Sequence, residues 1–309
     1  MQPIDDTGRR RVVVFGSLNA DLIFAVETLP MAGQTLLASA LTVEPGGKGA
    51  NQAVAAALDG AATVLAGAVG ADGLAEVALR GLLAADVDVL RVRMDRAATG
   101  SASICIDREG RNQIVVAPGA NLASLAADVE DGLLGPGTVV VTQMETDPAE
   151  TATLIRRARD RGARTVHNLA PAGPLAADAL RMLDVLVVNE DEAAWLARHE
   201  GLPGDDAAAL HAGLGITVIR TLGAAGTEWA GRDGHGRLPA APVHAIDTTA
   251  AGDCFVGVLA AAWVRGASLV AAIGRANAAA GLACTRRGSQ GSLPGAAEID
   301  RMSNAGQPA

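Results

Sequence analysis

Short apolar runs rich in valine alternate with longer helix-like stretches through most of this chain. Such runs predict buried strands, and the stretches between them predict helices. Strands that alternate with helices favour a parallel sheet covered by helices on both faces. The sequence therefore predicts an α/β fold, a three-layer α/β/α domain with a mostly parallel central sheet. Its expected strands are residues 11–18, 63–69, 139–142, 165–168, 185–188 and 216–221.

A second group of β-prone segments, separated by turn signals, predicts a small sheet that lies off the main body. We find no internal repeat, low-complexity run or linker. We therefore expect one domain spanning residues 1–309, with the small sheet drawn from about 19–44 and 87–118. Residues 1–10 form a polar tail that we expect to be frayed. The segments of the small sheet are 22–28, 35–43, 87–93, 101–107 and 112–117.

Polar or glycine residues recur where the predicted central strands end. They are Asn19, Glu145, Asn189 and Gly223. The carboxyl ends of parallel strands meet at one edge of the sheet, where open α/β proteins bind their ligands. We therefore expect a ligand site at this edge.

Residues 247–255 place small side chains before an apolar run, 255–264, that predicts a buried helix. Ala250, Ala251 and Gly252 would lie at its N-terminus, where free N–H groups and the helix dipole create an anion site. Asp253 lies among them. Its carboxylate either caps the helix or serves as a base for an attacking hydroxyl, and the local pattern leaves both interpretations open.

The glycine-rich turn at 45–52 leads into a predicted helix. It is not a Walker A loop, because Thr42 and Gly49 stand where that motif needs glycine and Ser or Thr. Its paired glycines favour a close approach of backbone to a ligand, with Lys48 and Asn51 directed towards it. A plain glycine-rich helix start remains the alternative.

The composition excludes several classes of protein. The net charge of −9 and the pI near 5.0 argue against binding to nucleic acid or an anionic membrane. No segment reaches the ~18–20 apolar residues of a membrane helix. The arginines at 9–11 precede an apolar run that is too short for a signal peptide. We therefore expect a soluble protein that is not exported.

The cysteines and histidines show no metal-binding spacing. Cys105, Cys254 and Cys284 are odd in number and form no CxxC pair, which favours a reducing cytoplasm over a disulfide framework or a structural zinc site. No G-x-G-x-x-G occurs, so a dinucleotide-binding oxidoreductase has no positive support.

Five motifs together carry a resemblance to a known family. The chain resembles the ribokinase-like (PfkB) carbohydrate kinases from Val12 to about Pro294. Many members carry Gly-Ala-Gly-Asp in their second signature, and the Ala-Ala-Gly-Asp form here is typical of those that act on ribose. The motifs are GSLNAD at 16–21, GGKGANQAVA at 46–55, NEDE at 189–192, TLGAAG at 221–226 and DTTAAGD at 247–253.

The resemblance implies an ATP-dependent kinase that phosphorylates D-ribose at its 5-hydroxyl. Asp253 would be the catalytic base, and Ala250, Ala251 and Gly252 would form the anion hole. The sugar would be held by Asn19, Asp21, Gly47, Lys48, Asn51, Glu145 and Asp253. ATP would contact Asn189, Thr221, Gly223, Gly226, Gly252 and Asn277.

The resemblance also implies cations and a partner. Glu192 would organise water around Mg²⁺, and a K⁺ ion would lie beside the anion hole. The small sheet would be a lid over the sugar and would form the contact of a homodimer. The positions that match the K⁺ site are Asp247, Thr249, Ala283, Arg286, Gly288 and Ser292, several of them through backbone oxygens.

Departures from the family pattern are few. Gln34 replaces a usual Glu, Leu169 replaces a Pro, and Gly291 replaces the Pro before Ser292. None of these changes removes a group with a chemical role in the reaction, but the last loosens the expected cation loop. A kinase of the same fold for deoxyribose, a nucleoside such as adenosine, or 2-keto-3-deoxygluconate remains the main alternative. A sugar-responsive regulatory protein would need a lost base or a damaged anion hole, and neither is present.

Overall fold

The computed structural model describes residues 10–305, and the expected tail at 1–9 lies outside that range. Its strands are β1 (Arg11–Phe15), β2 (Asn19–Ala25), β3 (Ala40–Gly46), β4 (Thr63–Gly70), β5 (Asp88–Asp95), β6 (Gly100–Ile106), β7 (Asn112–Ala117), β8 (Thr138–Thr142), β9 (Arg164–Asn168), β10 (Val185–Val188), β11 (Thr217–Thr221), β12 (Thr227–Gly231) and β13 (Gly234–Leu238).

Helices connect most of these strands and cover both faces of the main sheet. They are α1 (Lys48–Leu58), α2 (Gly73–Ala84), α3 (Pro148–Asp160), α4 (Ala177–Arg181), α5 (Glu190–Glu200), α6 (Ala207–Leu214), α7 (Ala251–Val264), α8 (Leu269–Ala283) and α9 (Ala296–Ala305).

The main sheet confirms the predicted α/β fold. Its strand order is β13-β12-β11-β10-β9-β8-β1-β4-β5. Neighbours from β11 to β5 are parallel, whereas β12 and β13 are antiparallel at one edge. Residues alternate between the two faces, so Val12 and Val14 pack with α1, α7 and α8. Val13 and Phe15 pack on the opposite face.

The smaller sheet has the order β3-β2-β6-β7 and lies apart from the main one. The prediction that 87–93 belongs to it is wrong. That segment is β5, which pairs in parallel with β4 in the main sheet, for example Val69 with Met94. The helix α2 between β4 and β5 gives the long crossover that a parallel pair needs. The four strands of the smaller sheet are those of the expected lid sheet.

Close packing between α1 and α7 brings their N-termini to the same edge of the sheet. A Cβ atom added at Gly257 in α7 would lie 2.3 Å from the backbone oxygen of Gln52 and 2.7 Å from Ala55 Cβ in α1. Only a residue without a side chain allows this approach. Across residues 10–305, we find no helix with the length and apolar character that a membrane crossing requires.

The α1–α7 contact leads to a stability prediction. We expect Gly257→Ala to destabilise the protein by about 1–3 kcal/mol, because the new methyl group overpacks the interface. Gly274 lies in the exposed part of α8 with no atom within 4 Å of its added Cβ. Gly274→Ala should therefore stabilise by about 1 kcal/mol through helix propensity alone. Urea unfolding of both variants tests the contact, and equal stabilities would contradict it.

Candidate active site

Asp253 lies in the first turn of α7 and is 7% exposed. Asn51 Nδ2 donates to its Oδ2 over 2.9 Å, and Gln52 Nε2 donates to its Oδ1 over 3.0 Å. The carboxylate therefore contacts the amides of α1 and does not cap its own helix, which begins after Ala250 with no side-chain cap. Burial raises the pKa of Asp253, while Lys48 and the two amides act in the opposite direction.

The residues before α7 form a cradle of backbone N–H groups. Ala250 has φ 57° and ψ 8°, a left-handed conformation that L-residues with a side chain seldom adopt. The N–H groups of Ala250 and Gly252 have no hydrogen-bond acceptor within the described residues. The Ala251 N–H donates to Thr248 O over a long 3.3 Å. The space beside Gly252 is open, so an anion can approach these N–H groups and the positive end of the helix dipole.

The glycine-rich turn at 45–52 is built for close approach and not only for starting a helix. A Cβ at Gly46 would lie 2.1 Å from Asp21 Oδ2, so the carboxylate rests directly against the backbone. Gly47 has a φ of +90° and a Cβ there would lie 2.8 Å from the backbone nitrogen of Asn19. Both positions therefore exclude larger residues.

Lys48 lies among four carboxylates. Burial lowers the pKa of Lys48, but the charges of these carboxylates outweigh it and leave the pKa above its usual value. Burial, followed by the charge of Glu145, raises the pKa of Asp21 to about 6. Glu145 Oε2 accepts hydrogen bonds from the Lys48 backbone N–H and the Ser17 hydroxyl. The carboxylates are Asp21, Glu145, Glu192 and Asp253.

Two neighbouring cavities lie beside the cradle. One of about 220 Å³ is lined by Lys48, Asn189, Glu192 and Asp253, among others. The second, of about 500 Å³, shares Thr221, Thr248 and Gly252 with the first. Its lining is mainly small and apolar, and it also contains Gly223, Gly226 and Asn277. Each of the expected ATP residues thus lines at least one of two neighbouring cavities.

The side chains of the expected nucleotide residues already have protein partners. Asn189 accepts from the Glu192 N–H, and Glu192 Oε2 accepts from the Asn189 N–H, each over 2.8 Å. The Asn277 amide accepts from the Thr227 hydroxyl over 2.6 Å and donates to Pro239 O over 3.3 Å. These contacts fix the walls of the pocket, and they leave mainly backbone and apolar surface for a base and ribose.

The expected cation loop is partly assembled around Asp247. Its carboxylate accepts from the Thr249 N–H and hydroxyl and from the Gly288 N–H over 2.7–3.0 Å. The Arg286 side chain instead pairs with Glu298. The other two expected positions, Ala283 and Ser292, also have backbone partners. Ala283 O accepts from the Arg286 N–H, and the Ser292 hydroxyl donates to Ser289 O.

The donor set of this loop fits a weakly bound monovalent cation. It offers one carboxylate and several carbonyl oxygens, which are hard ligands. Among residues 10–305, no group of three or more His, Cys, Asp or Glu side chains is arranged to hold a metal ion. For Mg²⁺, one carboxylate oxygen of Glu192 accepts from the Asn189 N–H and the other accepts no hydrogen bond from a described residue. Burial raises the pKa of this side chain. This geometry suits a contact through water.

Sequence reasoning missed a set of buried amides behind the base. Gln52 follows Asn51 directly and reaches the same carboxylate, so the motif at 46–55 contained the signal. Asn121 donates to Asn19 Oδ1 over 2.7 Å from far along the chain, and no local pattern reveals it. The same is true of the remaining members, Gln143, Asn168 and Gln290.

Comparison with known proteins agrees with this arrangement. The family model for pfkB family carbohydrate kinases matches residues 9–296. The chain is 35% identical to the ribokinase of Staphylococcus aureus over 303 residues, which covers 94% of this chain and 99% of that protein. The structure of Thermotoga maritima ribokinase superposes with a TM-score of 0.87 at 27% identity, covering 95% and 99% of the two chains. Arabidopsis thaliana ribokinase, complexed with ribose and ATP, gives a TM-score of 0.85 at 26% identity, covering 96% and 99%. This chain therefore belongs to the pfkB family of carbohydrate kinases.

Proposed function

We propose that this protein transfers the γ-phosphoryl group of ATP to the 5-hydroxyl of D-ribose, which yields D-ribose 5-phosphate and ADP. One observation carries the proposal: the buried carboxylate of Asp253 lines one cavity with Ala250 and Gly252, whose N–H groups meet no acceptor in residues 10–305. A base beside an anion cradle suits phosphoryl transfer to an alcohol. Similarity to ribokinases, one of them complexed with ribose and ATP, favours ribose as the acceptor.

The sugar side offers both acceptors and donors at fixed positions. The carboxylates of Asp21 and Glu145 accept from hydroxyl groups. The amide oxygens of Asn19 and Asn51 accept from protein donors, so these two side chains would offer the sugar N–H groups. One N–H of Asn51 already donates to Asp253, which leaves its second N–H for the sugar, together with the Lys48 amine. The Gly47 backbone allows the ring to approach. Binding at several hydroxyls orients the 5-hydroxyl towards Asp253.

The reaction follows from the placement of Asp253 and the cradle. As the 5-oxygen attacks the γ-phosphorus, its proton passes to the Asp253 carboxylate. The bond between the γ-phosphorus and the bridging oxygen breaks, and its electron pair leaves with ADP. The N–H groups of Ala250 and Gly252 donate to the oxygens of the transferred group. The Ala251 N–H joins them when it leaves Thr248 O, which it contacts at only 3.3 Å.

ATP would occupy the two neighbouring cavities. Its base and ribose would lie in the apolar cavity beside Thr221, Gly223, Gly226 and Asn277, and its phosphates would extend towards Asn189. Mg²⁺ bound with ATP would neutralise phosphate charge, and Glu192 would hold it through water. K⁺ would bind at the Asp247 loop, where its role is to fix the backbone of the cradle.

We also propose a homodimer through the lid sheet and a cytoplasmic location. Apolar side chains on the lid strands are exposed, including Leu41 at 54% and Val115 at 71%, and a second copy of the chain would cover them. Sedimentation should then give a particle of twice the 31.0 kDa chain mass. The three free cysteines fit a reducing compartment.

A coupled ADP-release assay over a panel of sugars and nucleosides tests the substrate. We expect ribose to give the highest kcat/KM, with little ADP from fructose or adenosine, and a higher rate with K⁺ than with Na⁺. Preference for deoxyribose, a nucleoside or 2-keto-3-deoxygluconate would show a kinase of the same fold with another acceptor. No ADP release with any acceptor would contradict the kinase proposal itself.

The same assay tests the base. We expect Asp253→Asn to lower kcat at least about a hundredfold, because the variant cannot accept the proton. Ribose affinity, measured by calorimetry, should stay within a few-fold of the original value, since Asn keeps the shape of the side chain. Turnover close to that of the unmodified enzyme would exclude Asp253 as the base.

The raised pKa of Asp21 predicts a pH-dependent stability. Its rise from 3.8 to about 6 corresponds to about 3 kcal/mol. The pKa of Asp21 is higher in the folded protein than in the unfolded chain. Its contribution to the free energy of unfolding is therefore complete below pH 3.8 and is lost as the pH rises through about 6. Asp21→Asn should thus be more stable than the unmodified protein at pH 8, with a difference that shrinks towards pH 4. Urea unfolding at several pH values measures it, and a constant difference would refute the assignment.

A further inference from the structure

Two chains of buried amides end on the Asp253 carboxylate. In the first, Gln290 Nε2 donates to Asn51 Oδ1 over 3.1 Å, and Asn51 Nδ2 donates to Asp253 Oδ2 over 2.9 Å. In the second, Gln143 Nε2 donates to Gln52 Oε1 over 2.6 Å, and Gln52 Nε2 donates to Asp253 Oδ1 over 3.0 Å. Each carboxylate oxygen is therefore the end of its own chain.

The charge on Asp253 sets the direction of both chains. An ionised carboxylate only accepts hydrogen bonds, so Asn51 and Gln52 must present their N–H groups to it. Their amide oxygens then point away and need donors, which Gln290 and Gln143 supply. Every amide dipole in the two chains thus has its positive end towards the carboxylate.

This direction leaves one acceptor at the far end of each chain without a donor. Gln143 Oε1 and Gln290 Oε1 are buried and have no hydrogen-bond partner within the described residues. They rest against glycine backbone: a Cβ at Gly16 would lie 2.0 Å from Gln143 Oε1, and one at Gly81 would lie 1.8 Å from Gln290 Oε1. A buried amide oxygen without a donor is unfavourable. The glycines around these two oxygens do not explain why each glutamine points its oxygen away from Asp253.

The other charged groups that face Asp253 mostly oppose its ionisation. Lys48 of α1 favours the charged form. Glu145 after β8, Glu192 of α5 and Asp21 of β2 carry like charge, and burial acts in the same sense as they do. Lys48 and the two amide chains are therefore the groups that stabilise the ionised carboxylate.

We propose that Gln143 and Gln290 are positioning residues, which keep Asp253 ionised and aligned through Gln52 and Asn51. The inference rests on the proposed function, in which Asp253 receives the proton of the sugar hydroxyl. Gln52 is held further by its second N–H, which donates to Asn168 Oδ1 over 3.1 Å. The two outer glutamines do not line the cavity beside the base, so they act on the reaction through their neighbours.

The test replaces each outer glutamine with methionine, which keeps the length of the side chain but removes the donor. We expect the acid limb of the kcat/KM profile to move up by about 0.5 pH unit in each variant and by about one unit in the double variant, because weaker amide donation leaves the carboxylate easier to protonate. At pH values below the acid limb, kcat/KM of each single variant should be about threefold lower than that of the unmodified protein.

Unfolding experiments separate this role from a structural one. Gln143→Met and Gln290→Met each remove one unpaired acceptor and leave another, the amide oxygen of Gln52 or Asn51, without its donor. The number of unpaired buried acceptors stays the same, so we expect stability at pH 7 to change little. Ser124→Ala is the matched control. Its hydroxyl is also buried without a partner, and Ser124 belongs to neither chain. We expect this variant to leave the pH profile unchanged. Variants that lose stability but keep the original pH profile would overturn the inference.

A second readout does not depend on catalysis. The ¹³C carboxyl signal of Asp253 in the sugar-free protein, assigned by its loss in Asp253→Asn, should titrate at a higher pH in both glutamine variants. An unchanged titration would overturn the inference even if ribose is phosphorylated. Failure of the unmodified protein to phosphorylate any acceptor would instead contradict the proposed function, while this titration would still decide the role of the glutamines.

Discussion

The close approach of α1 to α7 is the contact on which the site depends. Gly257 permits it, since any side chain there would meet the backbone of Gln52. The approach places two consecutive amides of α1 on a carboxylate that follows them by 202 and 201 residues in the chain. The same two helices begin at the carboxyl edge of the sheet, so Lys48 at the start of α1 and the cradle before α7 line the same cavity.

The surroundings of Lys48 concentrate negative charge beside the proposed triphosphate site. Four carboxylates surround Lys48, and burial raises the pKa of several of them. Such an arrangement lowers the stability of the folded protein, and perturbed groups of this kind gather at functional sites. Opposing the charge are the Lys48 amine, the free N–H groups before α7 and the amide chains behind Asp253. The site therefore works through fixed dipoles more than through positive side chains, which agrees with the acidic composition of the chain.

Much of this arrangement was predictable because its determinants are local. Strand periodicity gave the central sheet, and short motifs gave the glycine turn and the start of α7. The features that the sequence did not predict depend on residues far apart in the chain. The segment 87–93 has the pattern of a strand, but its sheet is decided by pairing with β4. Whether Asp253 caps its helix or faces a cavity depends on Asn51, and Gln290 reaches Asn51 across 239 positions. No window of sequence contains such pairs.

The conformation of Ala250 shows how the cradle is kept open. A left-handed backbone is unfavourable for alanine by about 1–2 kcal/mol, and with it the N–H groups of Ala250 and Gly252 have no acceptor in the part of the chain that the structure describes. Glycine would adopt the same conformation without strain, but it would also leave more freedom to the unfolded chain. The methyl group thus restricts the turn, while Gly252, with open space beside it, keeps the approach to the N–H groups clear. Strain at one residue and the absence of a side chain two positions later together produce a cradle that needs little rearrangement to receive an anion.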